Sequence, residues 1–159
     1  MKRSTRILLP AICLLIIALA AVARPPQAAP SASSTGVVYF DADKVAATFA
    51  KGGTLIDATT GGHNYKVMAA HRDTGPGQVE VHTLDTDVFY IVAGTSQFVT
   101  GGKMTEGKNT SPEEVRGATI EGGETRTLKK GDVIIIPKGV PHWFKEVTPG
   151  FDYFVVKVR

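Results

Sequence analysis

The chain holds a single cysteine, Cys13, and it sits inside an apolar run near the N-terminus. The residues before it, Pro10-Ala11-Ile12, do not fit a lipoprotein acylation signal. Beyond residue 23 there is no cysteine at all. That excludes disulfides, a thiolate nucleophile and cysteine-ligated zinc from the remainder of the chain. Stability must then come from a hydrophobic core, which the ~130 residues after the apolar run are enough to build. A basic patch interleaved with aromatics is also missing. The formal net charge is +3, but Lys2, Arg3 and Arg6 all precede the apolar run, and without them 15 basic residues face 15 acidic ones. The high isoelectric point therefore belongs to the N-terminal segment and gives no reason to expect nucleic-acid binding. No internal repeat is visible.

The apolar run, Ile7 to Ala23, carries no charge and ends on Ala21-Val22-Ala23, a small-residue cleavage pattern. Residues 1–23 are read as an export signal, which implies a periplasmic or secreted protein with no stable membrane insertion after cleavage. The alternative is an uncleaved N-terminal anchor, since the run sits at the short edge of the ~17–25 residues that span a bilayer. Pro10 favours the signal. Residues 24–35 are rich in Pro, Ala and Ser and read as a disordered linker. Residues 36–159 form the remaining domain.

Within that domain, Gly36 to Phe40 is expected as a short strand. Asp41 caps a helix over Ala42–Ala50, with Val45, Ala46 and Phe49 on one side and Gly52-Gly53 ending it. From there the pattern is strand after strand: Leu55–Thr59, Tyr65–His71, Val79–Thr83, Val88–Val92, Gln97–Thr100, Thr119–Ile120, Thr125–Leu128, Val133–Ile136, His142–Glu146 and Phe151–Val158. Many short strands with a single early helix predict an all-β antiparallel sandwich or barrel. Gly101 to Gly117 interrupts the rhythm, and Ser111-Pro112-Glu113-Glu114 has the features of one helical turn. This insert reads either as a cover over a barrel opening or as a solvated hairpin.

Two stretches carry chemistry. In VEVHTLDTDVFYIVAG, Glu80 and His82 are two apart and share a strand face, and Asp87 follows on the return strand. In GDVIIIPKGVPHWF, Pro137, Gly139 and Pro141 restrict the backbone just before His142, which aims its imidazole at a fixed point. Two carboxylates converging inside a core repel unless a cation or a proton intervenes, an argument for a bound metal. His71 either points into the pocket as a substrate-binding residue or is a surface histidine at a strand end. Phe89 and Phe144 share the faces of Asp87 and His142 and are expected to shape the cavity where a substrate binds.

The spacing Glu80-x-His82, four residues, Asp87, six residues, Gly94 resembles the first motif of the cupin superfamily. So does the second run: Gly131, five residues, Pro137-x-Gly139, two residues, His142, three residues, Glu146. The resemblance covers about Tyr65 to Val158. It implies a single cupin-type antiparallel β-barrel, or jelly roll, with a short N-terminal helix outside it. It also implies one divalent transition metal ion held by Glu80, His82, Asp87 and His142; two imidazoles and two carboxylates with no soft sulfur favour Mn, Fe, Ni or Zn over Cu(I). Glu80 stands where the family has histidine, Asp87 where it has glutamate, and Glu146 where it has asparagine. Three versions of the site follow: all four residues bind; or His82, His142 and Asp87 bind while Glu80 acts as a catalytic base; or the metal is lost and a polar pocket remains.

The resemblance leaves two function classes. The first is a metal-dependent enzyme acting on a small molecule in the cell envelope, by dioxygenation, isomerisation or lyase chemistry. The second is a non-catalytic cupin binding a small ligand such as a sugar or organic acid, with or without metal. Enzyme is the favoured class. A homodimer is possible by the same resemblance, with Gly36–Phe40 as an exchange strand.

Overall fold

Alternation along the longest strands decides the architecture: Asp87, Phe89 and Ile91 on one, and Phe151, Tyr153 and Val155 on another, are buried at every second residue. The computed structural model describes residues 36–59 and 62–159; the predicted signal and linker lie outside the described residues. One helix, α1 (Ala42–Phe49), precedes thirteen strands. These are β1 (Gly53–Ile56), β2 (Tyr65–Arg72), β3 (Val79–His82), β4 (Thr86–Ala93), β5 (Thr95–Thr100), β6 (Lys103–Met104) and β7 (Lys108–Ser111). They continue with β8 (Glu114–Gly117), β9 (Ile120–Glu121), β10 (Glu124–Lys129), β11 (Val133–Ile136), β12 (His142–Val147) and β13 (Phe151–Val158).

All described pairings are antiparallel. One sheet has the order β1-β2-β13-β4-β11, the second has β10-β5-β12-β3-β8-β7, and β6 pairs with β9. The jelly-roll reading is met, with one difference. The sheets face each other without closing into a barrel, because no ladder joins the edge strands β10 and β11. Gly94 carries the chain from β4 in one sheet directly to β5 in the other, with φ at +73°. A Cβ there would lie 2.9 Å from both Phe151 Cα and Thr148 Oγ1, so the motif glycine answers two steric demands at once.

The core between the sheets is aromatic. Phe89, Phe98, Phe144, Phe151 and Tyr153 are all buried, with Ile91, Leu128, Ile136 and Val155 around them. Phe89 stacks on Phe144 at 5.7 Å, and Phe98 meets Phe144 at 4.6 Å. The outer face of the first sheet is partly covered by α1, whose Phe49 packs edge-on against Phe154 at 4.8 Å. Asp41 caps α1 by accepting from the Lys44 amide at 2.7 Å. Among the described residues no helix is long and apolar enough to cross a membrane.

Two local expectations are corrected. Gly36–Phe40 is not a strand; it has no ladder partner, and Val37 and Tyr39 lie exposed. Ser111 to Glu114 is not a helical turn but the tip of a hairpin, with Ser111 paired to Glu114. Local helix propensity loses there to tertiary pairing, since β8 adds to β3 from Val79↔Gly117 to His82↔Glu114. The insert is accordingly an extension of the second sheet.

Candidate metal centre

The two motif stretches meet across one ladder step. His142 on β12 lies directly opposite Glu80 on β3, and opposite Thr100 on β5 at its other side. The Pro137–Val140 turn is tied to β3 by the Gly139 amide donating to the His82 carbonyl at 2.8 Å. The same turn thus aims His142 and fixes it relative to His82. His82, Asp87 and His142 are buried polar residues, at 8%, 2% and 3% exposure. Glu80 is half-buried.

Glu80, His82 and His142 each offer one donor atom, and those atoms lie within 4.8 Å of one another. His82 Nε2 is 3.5 Å from Glu80 Oε2 and 3.4 Å from Asp87 Oδ2. His142 Nε2 is 3.9 Å from Glu80 Oε2 and 3.7 Å from Asp87 Oδ2. None of these contacts has hydrogen-bond geometry, and both Nε2 atoms are buried without a hydrogen-bond partner. A buried polar atom left unpaired costs about 1–3 kcal/mol, so two imidazole nitrogens abandoned side by side need a reason. An ion that takes both lone pairs is such a reason, and the nitrogen and oxygen donor set suits a divalent first-row metal.

The electrostatics sharpen the roles. On His142, Nδ1 lies 3.1 Å from the Val140 carbonyl. The tautomer that donates there leaves Nε2 as a bare acceptor facing the site. Burial pushes the His142 pKa down, against the opposing pull of that carbonyl and the Asp87 and Glu80 carboxylates. Burial also pushes the Glu80 carboxyl up. The facing His82 and the charges of Arg116, His142 and His82 outweigh it, and Glu80 is held at about 2.

Two cations that sequence reading did not single out stand in the site. Arg116 lies opposite Glu80 in the β3–β8 ladder and contacts Glu80 Oε1 at 3.1 Å and Glu114 at 2.5 Å. Lys157 lies opposite Asp87 in the β4–β13 ladder, and its Nζ donates to both Asp87 oxygens at 3.0 Å. Lys157 was legible in principle, since Phe151, Tyr153 and Val155 point inward and 157 continues their parity. Arg116 needed the register of a hairpin that the sequence did not reveal.

Of the three expected substrate contacts, Phe89 and Phe144 lie in the core beneath the site, and Phe89 meets the His142 ring edge-on at 6.2 Å. His71 is on the other face of its sheet. It pairs in register with Asp152, its Nδ1 is 2.6 Å from Asp152 Oδ1, and its Nε2 is 3.1 Å from Asp73. Arg72 is the β2 residue that turns inward there, bonding the Tyr153 hydroxyl at 3.0 Å and lying over the Phe144 ring.

A cleft of about 230 Å³ opens between the sheet edges, lined by Thr100, Arg126, Ile134, Ile136, Pro137 and Val140 among others. Thr100 and Ile136 are the register partners of His142 and Asp87, so the cleft borders the site.

Several solved structures align with part of the chain. KdgF from Halomonas sp. aligns at 14% identity with a TM-score of 0.48, covering 67% of this chain and 77% of that one. A cupin-like protein from Thermotoga maritima aligns at 20% identity and 0.46, covering 67% and 66%. The DMSP lyase DddQ from Ruegeria pomeroyi DSS-3 aligns at 18% and 0.47, covering 68% of this chain and 46% of that one. No curated protein matches the sequence. The family model described as Cupin matches residues 57–159, which takes in every strand from β2 onward and both motif stretches. The chain belongs to the cupin family.

Proposed function

We propose that this cupin is a metal-dependent enzyme acting on a small molecule, with one divalent ion held by Glu80, His82 and His142. The observation that carries the reading is the pair of buried imidazole Nε2 atoms, without hydrogen-bond partners, facing Glu80 Oε2. A divalent ion bound there supplies Lewis acidity or an oxygen-binding centre, the chemistry that dioxygenase, isomerase and lyase reactions draw on. The remaining roles belong to the chain's own side chains. Val140 fixes the His142 tautomer, Arg116 holds one Glu80 oxygen so that the other faces the imidazoles, and the Phe89 and Phe98 rings close the floor against water. Glu80 Oε2 faces both imidazole nitrogens within the mutual 4.8 Å of the three donor atoms, so we assign Glu80 to the ion rather than to proton transfer. The cleft beside Thr100 and Ile136, ladder partners of His142 and Asp87, offers a small molecule an approach to the ion.

A second reading has its own support. Arg116 and Lys157 neutralise both carboxylates without an ion, as a non-catalytic cupin binding a small ligand would need. The N-terminal basic residues, apolar run and small-residue cleavage pattern support a cell-envelope location for either reading. Elemental analysis of the purified protein tests for the ion. One divalent ion per chain, lost in His82→Ala and His142→Ala, is the expected result. An ion-free wild type, even after incubation with Mn, Fe, Ni or Zn, refutes the metal reading. Oxygen-consumption and metabolite screens on the loaded protein then identify the reaction.

A further inference from the structure

We propose that Lys157 is an internal cation that keeps Asp87 out of the coordination sphere, so that this cupin's centre has three protein ligands, Glu80, His82 and His142. The inference rests on the metal reading above. Both carboxylates of the site touch both imidazoles, but each is held differently by its cation. Arg116 takes Glu80 Oε1 at 3.1 Å and leaves Oε2 to face the imidazoles. Lys157 takes Asp87 Oδ1 and Oδ2 alike, each at 3.0 Å. Asp87 is 2% exposed, so water cannot replace Lys157 as its partner. Asp87 Oδ2 lies 3.4 and 3.7 Å from the two imidazole nitrogens, as near as Glu80 Oε2 at 3.5 and 3.9 Å, so the cation each carboxylate carries, and not its distance, sets the two apart.

An ion drawing on Asp87 Oδ2 would share that oxygen with an ammonium group in a buried setting, where like charges repel strongly. Freeing Asp87 would in turn strand the Lys157 charge, whose side chain is 18% exposed. Both costs fall on four-residue coordination and neither on three. Lys157 is thus a positioning residue that sets the ligand count and leaves positions of the ion open to a small molecule.

The test is a cycle of Asp87→Asn, Lys157→Met and the double variant, titrated calorimetrically with Mn²⁺, Ni²⁺ and Zn²⁺. Asp87→Asn should bind within about threefold of wild type, and Lys157→Met about tenfold more tightly because Asp87 becomes a fourth ligand. The double variant should return to the wild-type affinity. The visible absorption of Co²⁺-loaded protein gives an independent reading of ligand count: unchanged in Asp87→Asn, altered in Lys157→Met. If Lys157→Met leaves a buried carboxylate that prevents folding, Asp87→Asn alone decides. A tenfold loss of affinity in Asp87→Asn, or no gain in a folded Lys157→Met, overturns the proposal. Binding by Lys157→Met but not by wild type supports exclusion by Lys157 while overturning the metal reading for the native protein. Binding by no variant overturns both.

Discussion

Glu80→Gln probes how the site manages its own charge. The substitution keeps the shape of the side chain and removes its titration. Glu80 is held at about 2 against an ordinary 4.5, and its side chain is 21% exposed. At 1.36 kcal/mol per pKa unit the depression corresponds to roughly 3 kcal/mol, and solvent screening of the exposed part trims that to about 2–3 kcal/mol. Because the folded pKa is the lower one, this stability is present above pH 4.5 and is lost as pH falls toward 2. The gap in unfolding free energy between wild type and Glu80→Gln should therefore narrow steadily across that window and stay flat from pH 5 to 7. Urea unfolding with chelator present measures it, and with a slope of about 1–3 kcal/mol per molar the midpoints should differ by about 1–2 M more at pH 6 than at pH 2.5. A gap independent of pH would mean that Arg116 and the imidazoles do not hold the carboxylate. A gap that widens as pH falls would mean that burial wins over them.

Three further substitutions test the frame. Phe98→Ala removes a fully buried ring that touches Phe89, Phe144 and His142 and should cost about 3–5 kcal/mol in the same urea assay. Gly94→Ala should cost at least about 1–3 kcal/mol, since the residue sits at φ +73° and its Cβ would press on Phe151 and Thr148; thermal unfolding will show it. Asp41→Ala deletes the cap of α1 and should cost about 1 kcal/mol, seen as a small drop in melting temperature with metal affinity unchanged.

The sheet-forming runs and the two motif stretches were legible because alternation and glycine placement are local signals. Val133–Ile136 and Phe151–Val158 are strands over the expected residues. Parity along a strand also put Phe144 on the side of His142 and sent Trp143 outward, where its indole donates to the Gly77 carbonyl at 2.7 Å. What escaped depends on pairing between distant strands. Lys108–Ser111 and Glu114–Gly117 have little apolar alternation, and they become strands only because β3 offers an edge for β8 to join. Arg116 enters the site by that same register. His71 was ambiguous because Tyr65–Arg72 is covered on both faces, so burial alone did not say which parity looks into the core. The strand β13 beside it decides the matter, pairing His71 with Asp152 and Ala70 with buried Tyr153.

The structure also changes which argument supports the metal. From sequence, the case was that two converging carboxylates need a cation. The fold supplies two cations of its own, one per carboxylate, so that argument no longer distinguishes a metal site from a neutral polar pocket. The imidazoles do distinguish them. A pocket built only for charge balance would give each buried Nε2 a donor or acceptor at hydrogen-bond distance, as Val140 does for Nδ1 of His142. Here both nitrogens are left bare at 3.5 and 3.9 Å from Glu80 Oε2, on a site whose Asp, Lys, Glu and Arg are otherwise paired. Separations of that size are too long for hydrogen bonds but close to the spacing of ligands around a shared ion with bonds of about 2.0–2.2 Å. The same reasoning explains how a glutamate can stand where the family has histidine. Glu80 adds a negative charge, and Arg116, its register partner, absorbs that charge while leaving Oε2 turned toward His82 and His142.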